Sequence, residues 1–311
     1  MHSPLYPPAS GGKRRSCSVA NVPPFTGGLR GECVNPKRVR FQVRKVIIHL
    51  LLLIAVLLTI GPFLWMFLTS IKTYEEAIRI PPQLFPVTPQ WINYKIVLAK
   101  FPIGTLYFNT FFTVAVVVIG QITISALAAY AFARLRFPGQ NGLFMAMLAL
   151  LMIPGQTFLI PQYMIMAQLK LTNTLPALFL PRLFNVFGVF LLRQFFMVIP
   201  KDFDDAAKLD GCNYFQIFYK IILPLTKPGL AALAILTALW TWTELLWPII
   251  VNRSIEKLTL SAGLAFLIGE HTTYYEQVMA GGMLAIWPML IVFFIFQRQF
   301  IAGLTAAGIK G

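Results

Sequence analysis

Charged side chains are scarce in this chain and make up 12% of its 311 residues, against roughly 25% in soluble domains. Hydrophobic residues make up 57%, and neither 101–133 nor 137–169 contains any Asp, Glu, Lys or Arg. A helix needs about 20 apolar residues to cross the hydrocarbon core of a bilayer. The shortage of charge therefore excludes soluble enzyme folds and predicts an all-α integral membrane protein with several spans.

Residues that commonly bind metals or perform catalysis are also few. The three cysteines, Cys17, Cys33 and Cys212, and the three dispersed histidines do not form the spacing of a disulfide framework or a zinc site. The phosphate-binding pattern G-x-x-x-x-G-K-[ST] is missing. We therefore expect no catalytic residue, no metal site and no cofactor bound by this chain, which is predicted not to be an enzyme.

Acidic residues are outnumbered by basic ones, 11 against 26, which gives a net charge of +15. The basic residues stand at the ends of apolar blocks, the arrangement that the positive-inside rule produces, so membrane topology explains them better than nucleic acid does. Lys and Arg are concentrated in 1–45 and in the links that follow the second and fourth blocks. This bias predicts that both termini are cytoplasmic.

The chain divides into a tail and a membrane domain. Residues 1–45 are rich in Pro, Gly, Ser and basic residues and are predicted to be a disordered cytoplasmic tail. Residues 46–311 are predicted to be a six-helix membrane domain, with Pro154 and Pro161 kinking the third helix. The six apolar blocks lie at 46–71, within 103–133, within 142–169, and at about 175–198, 229–251 and 277–297.

The longest predicted cytoplasmic link, residues 200–224, has the local chemistry of two short helices. Asp202 is expected to cap the first helix and Gly211 to end it in the left-handed conformation. Asn213 and Gln216 have the spacing of a capping box for the second helix, which carries an apolar face. Such a segment could rest on the bilayer surface, or it could dock into a groove of a cytoplasmic partner.

The same segment resembles the EAA loop of bacterial ABC importer permeases. That pattern is Glu-Ala-Ala, three residues, Gly, nine residues, Ile, one residue, Leu-Pro. Asp205-Ala206-Ala207, Gly211, Ile221 and Leu223-Pro224 match it, with Asp205 in place of Glu. The resemblance covers nearly the whole of 46–311 and is strongest to the carbohydrate-uptake, MalG-like branch, although Thr243 stands where many relatives have Asn.

The resemblance implies the membrane domain of a type I ABC importer in the bacterial inner membrane. The chain would pair with a second, MalF-like permease and with a homodimeric ABC ATPase that binds ATP and Mg²⁺. An extracytoplasmic binding protein would deliver a carbohydrate. A coupling helix from about Asp205 to Tyr219 would lie in the ATPase, with Phe215 and Phe218 making apolar contacts, and the tail Gly308–Gly311 would touch the ATPase as well. The implied coupling residues are Asp205, Ala206, Ala207, Asp210, Gly211, Phe215, Phe218, Leu223 and Pro224.

Residues of the substrate pathway are predicted from rare polar and aromatic groups inside the blocks. Glu244 is the acidic residue within predicted helix five, and intramembrane carboxylates are commonly functional or paired. Its alternatives are exposure at the outer interface or pairing with Arg182, and Asn109 and Asn185 could instead bond neighbouring helices. The candidates are Trp240, Trp242, Glu244, Trp247, Asn109 and Asn185.

A second class of function stays open at this point. An ion-coupled secondary transporter of a small polar solute would also have several spans, but such carriers commonly use several intramembrane carboxylates. Only Glu244 is placed for that role within the predicted helices. The sequence does not specify which sugar or polyol an importer would carry.

Overall fold

The computed structural model describes residues 36–269 and 272–308. Most of the predicted tail and the last three residues therefore lie outside the described residues. The chain forms two units, Met1–Leu57 and Leu58–Gly311. In the first unit the described residues are helical from Pro36, well before the predicted start at Val46. Proline is favourable at the first position of a helix because its missing N–H has no intrahelical partner there.

The described part of the chain contains helices and no strands. Four 3₁₀ turns, at Leu150–Met152, Gly155–Phe158, Leu180–Arg182 and Ile255–Lys257, and a π-helical turn at Phe218–Ile222 lie between or beside the α-helices. The α-helices are α1 (Pro36–Ser70), α2 (Tyr74–Ile78), α3 (Ile92–Lys100), α4 (Ile103–Arg134), α5 (Gln140–Ala149), α6 (Leu159–Gln168), α7 (Leu175–Phe179), α8 (Val186–Val198), α9 (Asp202–Leu209), α10 (Tyr214–Ile217), α11 (Leu223–Leu225), α12 (Lys227–Thr243), α13 (Leu246–Val251), α14 (Leu260–Ala265) and α15 (Tyr275–Gly308).

Among the described residues, three helices are long and apolar enough to cross a membrane, and three bent pairs could supply one span each. The straight spans are Ile47–Ser70, Ile103–Arg134 and Tyr275–Ile295. The bent pairs are Gln140–Met152 with Gly155–Gln168, Leu175–Arg182 with Val186–Val198, and Tyr214–Leu225 with Lys227–Thr243, at 97°, 46° and 77°. The all-α membrane fold is confirmed, with up to six spans, and three of them are broken.

Proline explains the breaks in the third and fifth blocks, of which only the one in the fifth block was not predicted. The third block breaks at Pro154, as expected, whereas Pro161 lies in the first turn of α6 and causes no second break. The fifth block is not one helix over 229–251, because α12 ends at Thr243 and Glu244 is extended, with ψ of 126°. Pro248 cannot donate to the carbonyl of residue 244, and its ring would collide with that carbonyl in a continuous helix.

Helix α4 lies at the centre of the second unit and packs against α8, α12 and α14. Its buried polar side chains recur at intervals of about four residues, which places them on one face of the helix. Gly188 allows the close crossing of α4 and α8, since a Cβ there would lie 2.6 Å from the Ser125 hydroxyl. The main apolar cluster surrounds the C-terminal half of α4 and includes Ala129, Phe132, Leu192, Phe196, Ile217 and Ile222.

Candidate functional site

The first half of the predicted coupling loop (residues 200–224, called the coupling loop below) is the helix α9. Its first turn carries Asp202, Asp204 and Asp205, which favours the helix dipole. The prediction that Asp202 caps this helix is wrong: Lys201 is the N-cap residue and makes no side-chain cap, while Asp202 is already helical. The helix ends in a Schellman motif, in which the N–H groups of residues 211 and 212 donate to carbonyls of the last turn at 3.0 and 2.9 Å.

Gly211 and Asn213 divide the loop into two helices. Gly211 has a φ of +79°, which confirms the predicted left-handed conformation. Asn213 and Gln216 form the predicted capping box, with both reciprocal hydrogen bonds at 2.9 Å. The single coupling helix expected over Asp205–Tyr219 is therefore wrong, because a left-handed residue and a new N-cap interrupt it.

The two phenylalanines predicted to contact a partner have opposite environments. Phe215 is 67% exposed, whereas Phe218 is 6% exposed and packs on the ring of Tyr130 with the centroids 5.1 Å apart. Phe218 is thus part of this chain's own core, which corrects its predicted role in a contact with a partner. Other apolar side chains of the loop are exposed instead, and Leu209 is 91% exposed. We call Phe203, Leu209, Tyr214, Phe215 and Tyr219 the exposed apolar group.

The remaining predicted coupling residues are distributed between surface and core. Ala207 is buried in the main apolar cluster and Leu223 packs against it. Asp205 is exposed and forms an ion pair with Lys208 at 3.6 Å. Ala206, Asp210, Gly211 and Pro224 are exposed. The motif therefore combines residues that hold the loop on this chain with residues that are free to contact another molecule.

A cavity of about 610 Å³ lies among α4, the bend between α5 and α6, the start of α8, and the break between α12 and α13. Amide and hydroxyl groups line it, and its ionic lining residues are Arg182 and Glu244. The polar residues at its wall are Gln121, Gln156, Gln162, Asn185, Thr237 and Thr241, together with the ring of Trp240. This combination can donate hydrogen bonds to a polyhydroxylated solute, accept them from it, and stack against it.

Glu244 binds two partners at the break in the fifth span. One carboxylate oxygen pairs with the Arg182 guanidinium, which corresponds to one of the alternatives that the sequence left open. The other oxygen accepts a hydrogen bond from the backbone N–H of Trp247 at 3.2 Å, at the start of α13. The ion pair therefore connects the bend between α7 and α8 with the break between α12 and α13.

The wall near Arg182 is held by a short chain of hydrogen bonds. The Thr237 hydroxyl donates to the side-chain oxygen of Gln121, and the Gln121 amide donates to the Arg182 carbonyl at 3.4 Å. Asn185 accepts from the N–H of Phe187 at 2.8 Å and so caps α8 at the bend. Trp240 is 45% exposed and packs edge-on against Phe187.

Two of the predicted pathway residues lie away from the cavity. Trp242 is 4% exposed and donates through Nε1 to the Ala285 carbonyl of α15 at 3.1 Å. Asn109 donates to the carbonyls of Glu256 and Leu258 at 2.8 and 2.9 Å and thereby fastens the 255–258 turn to α4. Both hold helices together, which corrects their predicted place in the pathway.

Trp247 is at the cavity wall, but its ring is buried and its Nε1 donates to the Ala177 carbonyl at 2.8 Å. The prediction omitted Gln156, Gln162 and Thr237, which line the cavity. An amide within an apolar block was the available signal for the two glutamines, whereas nothing in the sequence distinguished Thr237 from other threonines. No cluster of His, Cys, Asp and Glu that could hold a metal is found in the described ranges.

Taken together, the broken spans, the polar cavity and the capped loop define a multi-pass membrane protein of the permease class. Residues 121–305 match the family described as the binding-protein-dependent transport system inner membrane component, and the chain belongs to this family.

The chain is also similar to named transport permeases and to a chain of a solved ABC transporter. The chain is 37% identical to the arabinooligosaccharides transport system permease protein AraQ of Halalkalibacterium halodurans, over 82% of this chain and 92% of that protein. It is 32% identical to the sn-glycerol-3-phosphate transport system permease protein UgpE of Yersinia enterocolitica, over 83% and 94%. A crystal structure of a bacterial ABC transporter that imports the acidic polysaccharide alginate contains a chain with the same fold, with a TM-score of 0.72, 26% identity, and coverage of 83% of this chain and 97% of that one.

Proposed function

We propose that this chain is the permease subunit of an ATP-driven ABC importer, and that it moves a sugar or sugar-like solute which an extracytoplasmic binding protein delivers. The observation that carries the proposal is the coupling loop, whose sequence matches the EAA pattern of such permeases. The loop folds into two helices around the left-handed Gly211 and leaves Phe215 exposed. The arabinooligosaccharide and alginate systems named above support a carbohydrate as the solute.

The exposed apolar group is proposed to dock into an ATPase subunit that binds ATP and Mg²⁺. Most of its side chains lie on α9 and α10, which the Schellman motif and the capping box hold in fixed conformations at their junction, so little further ordering is needed when they bind. Aromatic side chains held in this way are typical anchors of protein interfaces. Energy from ATP would then enter this chain through the coupling loop, and the chain itself would hydrolyse nothing.

The cavity is proposed to be this chain's share of the substrate pathway, with Trp240, Glu244 and Asn185 at its wall. Sugars bind to proteins through hydroxyl groups that both donate and accept hydrogen bonds, and the amides, hydroxyls and carboxylate of the wall can match them. A second, MalF-like permease would provide the opposite wall. In this arrangement both termini and the coupling loop are cytoplasmic, in agreement with the basic residues of the connecting links.

The first experiment is purification of the tagged chain from its native membranes in mild detergent, with mass spectrometry of the proteins that accompany it. We expect an ABC ATPase and a second permease in stoichiometric amounts. Reconstitution of that complex with its binding protein should then give uptake of arabinooligosaccharides, used as the probe, that requires ATP and is insensitive to an ionophore. A chain that purifies alone and moves solute along an ion gradient without ATP would contradict the proposal and support the ion-coupled carrier.

A further inference from the structure

Arg134 is the last residue of α4 and lies where α4, α8 and the coupling loop meet. Its Nη1 is 3.0 Å from the carboxylate of Asp204 in α9, and the two side chains are 4% and 11% exposed. Its Nη2 donates to the carbonyl oxygens of Phe196 and Ile199, both at 2.8 Å. One buried guanidinium at the end of α4 thus contacts both α8 and α9.

The ends of α4 and α8 are capped reciprocally. The Phe196 and Ile199 carbonyls belong to the C-terminal end of α8, where a cation offsets the partial negative charge of the helix dipole. Arg193 of α8 donates in return to the Phe132 carbonyl near the end of α4, at 3.2 Å. Sliding of either helix along the other would therefore break the hydrogen bonds that join their C-terminal ends.

The second helix of the coupling loop is held on the same face of α4. Tyr130 is four residues before Arg134, so the two side chains project from one side of the helix. The Tyr130 hydroxyl donates to the Tyr214 carbonyl of α10 at 3.1 Å, and its ring packs on Phe218. Tyr130 therefore fastens α10 to α4 while Arg134 fastens α9.

We propose that Arg134 and Asp204 are positioning residues of the transport cycle, which make α9 move as one body with the ends of α4 and α8. A force applied to the coupling loop would then displace the membrane helices instead of tilting α9 alone. This inference rests on the proposed function, in which an ATPase moves the loop. Separation of a buried ion pair leaves both groups without a counter-charge, so the link resists opening. The exposed pair of Asp205 with Lys208 on the same helix offers little such resistance.

The test uses the whole transporter with its partner subunits and binding protein, and it measures the solute taken up per ATP hydrolysed. The double variant Arg134→Met/Asp204→Leu removes both charges together and leaves no unpaired buried charge, so the complex should still assemble. We expect its basal ATP hydrolysis to persist while uptake per ATP falls about tenfold, the scale of a typical coupling free energy. Arg134→Lys keeps a cation for Asp204 but not the forked geometry, and should give an intermediate ratio.

Arg136→Met is the matched control, because Arg136 is an exposed arginine two positions further along the chain. It should keep the wild-type ratio. A double variant that keeps the wild-type ratio overturns the proposal. If the double variant does not assemble, Arg134→Lys decides: a reduced ratio in an intact complex supports the proposal, and a wild-type ratio overturns it. Absence of ATP-dependent uptake in the wild-type complex would instead contradict the proposed function itself.

Discussion

At the scale of single residues, Gly211 shows how backbone conformation rather than space selects an amino acid. A Cβ at this position would meet no atom within 4 Å, yet its φ is +79°. The left-handed region costs an L-residue other than Gly about 1–2 kcal/mol, and Asn adopts it more readily than β-branched residues do. The turn between α9 and α10 therefore depends on the conformational freedom of residue 211.

We predict that Gly211→Val abolishes ATP-dependent uptake while the chain still reaches the membrane, because the strained turn redirects the coupling loop. Gly211→Asn is the matched control and should retain most uptake. The measurement is uptake by membrane vesicles, normalised to the amount of chain in the membrane. Normal uptake by the valine variant would contradict the assignment of the turn to coupling.

Glu244 is a second residue whose neighbours decide its role. Its carboxylate joins Arg182 to the first turn of α13 at the wall of the cavity. A glutamine here would keep the acceptor for the Trp247 N–H and lose the charge that pairs with Arg182. The cavity would then contain a cation without its counter-charge, which is unfavourable at a partly buried site.

We predict that Glu244→Gln lowers uptake of a neutral oligosaccharide by about tenfold, the scale expected when one charge of a hydrogen-bonded pair is removed. Arg182→Gln/Glu244→Gln should recover part of this loss, since no unpaired charge is left. Initial rates at several solute concentrations measure the effect. Unchanged uptake in the single variant would mean that the pair has no part in the pathway.

At the scale of elements, α12 separates two tryptophans into different roles. Trp240 and Trp242 are two residues apart, so they lie on opposite sides of the helix. Trp240 faces the cavity, whereas Trp242 packs against Phe111 of α4 and bonds to α15. Their different environments follow from their positions around the helix, which the amino-acid composition does not show.

We predict that Trp242→Ala destabilises the chain by about 3 kcal/mol or more, because it leaves a void between α4, α12 and α15. Trp240→Ala should leave the thermal midpoint of the detergent complex nearly unchanged and raise the solute concentration needed for half-maximal uptake. Thermal unfolding and concentration-dependent uptake, measured on both variants, separate the two effects. The opposite pattern would exchange the two assignments.

The coupling loop offers a similar comparison between two phenylalanines. We predict that Phe215→Ser weakens binding of the ATPase by about 1–2 kcal/mol, the range of an interface anchor, and leaves the isolated chain as stable as before. Phe218→Ser should instead lower the stability of the isolated chain, because the ring is packed on Tyr130. Co-purification and thermal unfolding of the two variants test this, and an unaffected complex with Phe215→Ser would argue against docking through the exposed apolar group.

At the scale of the whole molecule, topology connects the charge pattern with the coupling loop. The positive-inside rule places the 134–141 link and the coupling loop on the cytoplasmic side and residues 72–100 outside. The structure supports a common side for the link and the loop, because Arg134 contacts Asp204 directly. Labelling of single cysteines from each side of the membrane tests which side this is.

We predict that Arg136→Cys, in a chain whose three cysteines are replaced by serine, reacts with a membrane-impermeant maleimide only in inverted vesicles. Thr88→Cys is the counterpart and should react only from the outside of intact cells or spheroplasts. Both positions are exposed, so access of the reagent depends on the side of the membrane. Labelling of both cysteines from the same side would contradict the predicted topology.

Much of this protein follows from its sequence by itself. The long uncharged blocks determined the all-α fold class and predicted six spans, because each block has to satisfy its backbone within a helix in the bilayer. The described residues contain three straight spans and three bent pairs that could supply one span each. The turn at Gly211 and the capping box at Asn213 were also predictable, because helix caps and left-handed residues depend on side chains only a few positions away. The EAA spacing in turn indicated the family.

Only the tertiary structure decided which side chains face the cavity, the core or another molecule. Phe218 and Trp242 were predicted to meet a partner or a solute and instead pack inside the chain, while Leu209 and Thr237 were passed over. The ion pairs of Arg134 with Asp204 and of Arg182 with Glu244 join residues that are distant in sequence. Such contacts depend on how helices bend and rotate against their neighbours, and the periodicity of one helix does not determine that rotation.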